Sequence, residues 1–112
     1  METPAAGYEA TGSFRLTAAA GGRFSATGPL VFATAVAACT QGLELLAANA
    51  GGEFEIDCSG VTASDSAGLA VLLEWLGAAR RAGKRLRYTR LPAGLLALSR
   101  ISEVEALLER GV

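Results

Sequence analysis

No histidine occurs in the 112 residues, so no imidazole is available as general base, proton shuttle or metal ligand. The two cysteines, Cys39 and Cys58, form no C-x-x-C pair, and isolated thiols of this kind read as small core residues of a cytosolic protein. Neither a metal centre nor a disulfide framework is expected. A formal net charge of −1 argues against general binding to nucleic acid or to a membrane surface. The opening "METPAAGYEATG" lacks the basic start and apolar stretch of a signal peptide. The apolar run that follows, "LVFATAVAAC", is about half the ~20 residues a membrane span needs. Aromatic residues make up only 6% of the chain, while alanine and glycine are abundant, so small side chains in close contact must do the work of large anchors. The expectation is a soluble, cytoplasmic protein with residues 1–12 as a flexible tail and 13–112 as a single domain.

The segments "FRLTAA" and "RFSATG", separated by Gly21-Gly22, have the form of a β-hairpin. The period changes from about Leu30. Phe32, Val36, Cys39, Leu43 and Leu46 recur at spacings of 4, 3, 4 and 3, which predicts a helix running to about Ala48. "EFEIDCSGV" and "KRLRYTR" alternate strictly, with Phe54, Ile56, Cys58, Leu86 and Tyr88 on one side and acids or bases on the other. Strands covered on both faces read as continuous apolar runs. These do not, so the expected fold is α/β, a mixed sheet with helices mainly on one face. If the two strands are neighbours, the acidic row of Glu53, Glu55 and Asp57 pairs with the basic row of Arg85 and Arg87. Between them a helix is predicted from about Ala67 to Ala82, ended by Gly83, with Arg80 and Arg81 in its last turn, where cations suit the helix dipole. Pro92 starts a short helix to about Leu98, and Ser102 with Glu105 has capping-box spacing for a final one.

"DSAGL" stands where the first alternating strand gives way to the central helix, and Ser66 within it invites comparison with a nucleophile elbow. The G-x-S-x-G pattern fails at Ser64, and there is no histidine to act as base. Lys84, the only lysine, lies at the far end of the helix, roughly 25 Å away at 1.5 Å per residue. "GAARRAGKR" is no phosphate loop: five residues separate its glycines, Arg85 replaces the metal-binding Ser/Thr, and the stretch ends a helix where phosphate sites begin one. The residues therefore point to binding rather than catalysis, with no catalytic residue and no cofactor assigned. Asp65 and Ser64 are candidate N-caps. On the central helix Leu69, Leu72, Leu73 and Leu76 form the core stripe, while Ala67, Val71, Trp75 and Ala78 make a second apolar line on roughly the opposite side. Either Trp75 flanks the core beside a neighbouring helix, or that line is an exposed partner-binding stripe with the tryptophan as anchor. The second reading makes Asp65, Ser66, Ala67, Val71 and Trp75 the candidate partner-binding residues.

A hairpin, a helix, an alternating strand ending in "CSGVTASDSAGL", then helix, strand and helices, resembles the STAS domain family over about residues 13 to 110. That family places a D-[ST]-x-G-L element between strand and helix, matched here by Asp65, Ser66, Ala67, Gly68 and Leu69. Within the family, "ATGPLVFATA" and "DSAGLAVLLEWLGAARRAG" are similar to the MlaB branch. That resemblance implies a non-catalytic subunit that docks Ser66 and the start of its helix on the cytoplasmic ATPase of an ABC-type phospholipid transporter. Its association with the inner membrane would be peripheral and indirect, through the ATPase and the permease, with no insertion of its own. The alternative branch, the anti-sigma-factor antagonists, implies phosphorylation of Ser66 by a partner kinase. Against it, Gly28-Pro29-Leu30-Val31 stands where those proteins carry an acidic G-E-x-D element, and Ala67 replaces the second serine of D-S-S-G. The basic residues between Arg80 and Arg90 are expected to steer the domain toward an acidic patch.

Overall fold

In the computed structural model, which describes residues 13–101 and 104–110, four strands form one sheet in the order β1-β2-β3-β4. β1 (Arg15–Ala18) and β2 (Arg23–Leu30) are the antiparallel hairpin, turned by Gly21 and Gly22 at φ 72° and 76°, left-handed values that glycine adopts without a Cβ penalty. The expected tail, residues 1–12, and the expected cap Ser102 lie outside the described residues.

β3 (Glu53–Ser64) runs parallel to both β2 and β4 (Arg85–Thr89), so each parallel step needs a crossover helix. α1 (Ala35–Ala48) provides the first and α2 (Ser66–Arg81) the second. The strand order advances steadily in one direction, and crossovers of the usual right hand then lay both helices on the same face. The burial pattern agrees. Phe54, Ile56, Cys58, Leu86 and Tyr88 are buried, while Glu53, Arg85 and Arg87 are exposed and Glu55 and Asp57 half-buried on the helix-free face. Register sets Glu53 opposite Arg85 and Glu55 opposite Arg87, and the second pair closes to 2.8 Å. Arg90, at φ 53°, reaches back to Asp57. α3 (Ala93–Ile101) follows Pro92 and runs three residues beyond the expected end, and α4 (Glu105–Arg110) packs against β4 with Leu108 buried.

Two expectations are corrected here. The first concerns α1: Leu46 is buried and Cys39 and Leu43 pack against the core with Ala38 and Gly42, but Phe32 and Val36, which begin the periodic stripe, do not join that face. Those two side chains are 83% and 82% exposed. β2 continues to Leu30, and a 3-10 turn at Phe32–Thr34 then redirects the chain before α1 begins. The Thr34 hydroxyl fixes that turn, donating to the Pro29 carbonyl at 2.8 Å and accepting from the Val31 N–H at 3.0 Å. The second correction concerns Val71 and Trp75, which are buried rather than presented to a partner. α1 lies along that side of α2, and Gly42 receives the indole, which would overlap any Cβ placed there. The Trp75 indole N–H donates to the Cys39 carbonyl at 3.2 Å, and its ring meets Phe14 at 6.2 Å between centroids. Leu73, expected in the core, is half-buried.

α1 is also tied down from three further sides by side-chain to backbone hydrogen bonds. Asp65 accepts from the Phe32 N–H just ahead of it, the Gln41 amide reaches β1, and the Lys84 ammonium donates to the carbonyls of Leu46 and Asn49 at its C-terminus. With so few large side chains on its inner face, α1 relies on these contacts for its position.

Candidate functional site

The end of β3 and the start of α2 meet the end of β2 in a tight joint. Asp65 has extended backbone (φ −147°) and caps α2: its carboxylate accepts from the Gly68 N–H at 3.1 Å and from the Phe32 N–H at 3.0 Å. The same side chain thus closes the helix start and anchors the turn after β2. These N–H donors, Phe32 first and then Gly68, hold the carboxyl below its ordinary pKa, because hydrogen bonds to the ionised form favour it. Gly68 is buried against the Leu30 carbonyl with no space for a Cβ, and Leu69 enters the core. Four residues of "DSAGL" therefore have evident structural roles or are at least half-covered. Ser66 does not. It is exposed at the first helical position, and among the described residues no group hydrogen-bonds to its hydroxyl.

Phe32 and Val36 flank this joint. Ala33 in the 3-10 turn, Ala37 and Thr40 on α1 and Ala70 on α2 are also exposed, so the exposed residues at the two helix starts carry no charge, and the half-buried capping Asp65 is the one acid there. Among the sequence-derived candidates, the structure keeps Asp65, Ser66 and the half-buried Ala67 at this joint and places Val71 and Trp75 beneath it. The residues that sequence reasoning missed are Phe32 and Val36. Their signal was present in the turn chemistry of Pro29 and Thr34, which breaks the helical period ahead of them.

The opposite end of the sheet has another character. A hollow of about 340 Å³ is lined by Gly21, Gly22, Arg23, Glu53, Glu55, Arg85 and Arg87. Part of its charge is internally paired, with Arg87 on Glu55 at 2.8 Å, and on α2 Arg81 meets Glu74 at 3.3 Å. Burial pushes the Cys58 thiol up to about 12 and raises that of Cys39, so neither is poised as a thiolate. Among the described residues, no three His, Cys, Asp or Glu side chains gather as a metal site, and no helix is long and apolar enough to cross a membrane. Both oxygens of the Asp65 carboxylate are already engaged by backbone N–H groups. What the joint offers is a contact surface.

Comparison with known proteins agrees with this architecture. A family model described as "Mlab, STAS domain" matches residues 16–109. Among solved structures, the chain is similar to the anti-sigma factor antagonist SpoIIAA in its unphosphorylated form, with a TM-score of 0.59 over 86% of this chain and 84% of that one. At 12% identity, that likeness concerns the fold. A search of curated proteins finds no match.

Proposed function

Because the chain belongs to the STAS domain family, matched by a model described as Mlab, we propose that it is a non-catalytic subunit of an ABC-type phospholipid transporter. It docks on the cytoplasmic ATPase and stabilises or tunes that protein's active dimer, so that it reaches the inner membrane only through the ATPase and the permease. The observation carrying this reading is the exposed, uncharged surface in which Phe32 and Val36 flank the unpartnered Ser66 hydroxyl. A large apolar side chain moved from water into a contact contributes about 1.5–3 kcal/mol. Two of them on a rigid, capped joint supply a hot spot, with Ser66 and Ala67 as the close-packed floor.

The test is co-expression with a candidate ABC ATPase and its permease, followed by affinity capture in detergent. The wild type should recover both partners in a stoichiometric complex. Ser66→Arg and Phe32→Asp should lose them while melting as the wild type does. Capture unaffected by both substitutions would refute this surface.

A second reading, an antagonist switched by phosphorylation of Ser66, draws support from the same exposed hydroxyl and from the SpoIIAA-like fold. A GHKL-type kinase with ATP would then add about 80 Da, one phosphoryl group, at Ser66. That shift, with no ATPase recovered in detergent, would replace the transporter reading.

A further inference from the structure

Asp65 joins β3 to α2 at the N-cap position, where serine, threonine, asparagine and aspartate all serve. Capping needs one side-chain oxygen, and Oδ1 provides it by accepting from the Gly68 N–H at 3.1 Å. The second oxygen, Oδ2, accepts from the Phe32 N–H at 3.0 Å, 33 residues away in the chain. Of the four capping residues, only aspartate offers two acceptor oxygens and no competing donor. The cap alone would be served by any of them. The bond to Phe32 requires the carboxylate.

Phe32 has little else to fix its direction. Its side chain is 83% exposed and takes no part in the core cluster. The Thr34 hydroxyl bonds only to Val31 and Pro29, so it shapes the turn without tying it to α2. Among the described residues, the Asp65 carboxylate makes the one side-chain hydrogen bond between this turn and a distant part of the chain. We propose that Asp65 is a positioning residue for the docking surface. It holds the Phe32 backbone against the start of α2 and acts on the partner through the Phe32 ring, without touching the partner itself. The inference rests on the transporter reading for its partner, while the tie is a property of the isolated chain.

Asp65→Asn separates the two duties, because its single amide oxygen can serve the Gly68 N–H or the Phe32 N–H but not both. Asp65→Ser, a second capping residue with one oxygen, repeats the test without the amide. In the isolated protein, amide exchange at Phe32 should be roughly tenfold faster in both variants, with Gly68 still protected and the melt still cooperative. Kd for the ABC ATPase should rise about tenfold, as it does when a turn holds its binding-competent position about a tenth of the time. In a Phe32→Ala background the same substitutions should change Kd by less than about twofold, because the ring through which they act is gone. Equal losses in both backgrounds would mean that Asp65 contacts the partner or merely supports the fold, and they overturn the proposal. Unchanged exchange at Phe32 overturns it too, as does the loss of a cooperative melt in both variants. A wild type that binds no ATPase refutes the transporter reading and the positioning role with it, whereas unchanged exchange beside intact wild-type binding refutes the tie alone.

Discussion

The two ends of α2 present opposite surfaces on one rigid element. At its N-terminus Ser66, Phe32 and Val36 meet water with no charge beyond a capping carboxylate already engaged by backbone N–H groups. At its C-terminus Arg80 and Arg81 are exposed, and the hollow at that end of the sheet holds Arg23, Arg85 and Arg87 together with Glu53 and Glu55. The charged end is the more conspicuous in sequence, yet Glu55 and Glu74 neutralise part of it and solvent screens the rest. Exposed ion pairs contribute about 0–1 kcal/mol, whereas apolar side chains left in water gain more from being covered. The quiet end is therefore the proposed partner surface, and the basic end is left at most a steering role in that proposal.

The most drastic way to break the comparison is to remove what joins the two ends. Trp75→Ala empties the space between α1 and α2 and should cost about 3–5 kcal/mol in denaturant unfolding. A near-native unfolding curve for that variant would mean that the indole is not a core residue in solution. Next in size, Phe32→Ala should weaken binding to the ATPase by about 2 kcal/mol, roughly 30-fold in Kd, with little change in melting. Arg23→Ala and Arg85→Ala, at the other end, should leave Kd within about twofold at physiological salt. The reverse ranking in a titration would move the interface to the basic hollow. Ser66→Ala is smaller still, about 0.5–1.5 kcal/mol in stability or affinity, since it removes one hydroxyl hydrogen bond at most.

Acid offers a finer contrast. Asp65 is held low first by the Phe32 and Gly68 N–H groups; Asp57 is held low first by the Ser59 N–H and then by Arg90. For both, the folded-state pKa lies below the unfolded value, so each contributes stability that is fully present above the unfolded carboxylate pKa, about 3.9. That stability is lost as pH falls further through the folded value. Melts at descending pH should therefore show a loss below about pH 4 that is reduced in Asp65→Asn. Raising salt should shrink the part owed to Asp57 and Arg90 and leave the part owed to Asp65 largely intact, because backbone hydrogen bonds are not screened as ion pairs are. An acid limb unchanged by Asp65→Asn would remove the carboxylate from the joint. The smallest effect is expected for Arg87→Ala, within about 1 kcal/mol and fading at high salt.

Much of this was legible in the chain itself because the relevant patterns are short-range. Strict alternation in β3 and β4 announced a one-sided sheet, and the opposite charges on their outer rows announced their pairing, which the Glu55–Arg87 contact realises. Asp65 was readable as a cap because capping is a matter of three residues. Phe32 and Val36 were misread for a physical reason. Their spacing fits a core stripe, while the residues that form the core face of α1, Ala38 and Gly42, have almost no hydrophobic signal of their own. Trp75 had two defensible positions because a second apolar line on a helix looks the same whether another helix or another protein covers it.

The sequence by itself determined the order of elements, the α/β class, the wet face of the sheet and the capped joint at Asp65, all of which follow from local periodicity, turn residues and charge. Only the tertiary structure decided which apolar side chains were left over. The seat of the Trp75 indole on Gly42 fixes where α1 lies against α2, and the turn held by Thr34 fixes how the chain enters that helix. Together they cover Val71 and Trp75 and leave Phe32 and Val36 in water. That choice rests on the fit between residues far apart in the chain, which spacing along the sequence does not encode.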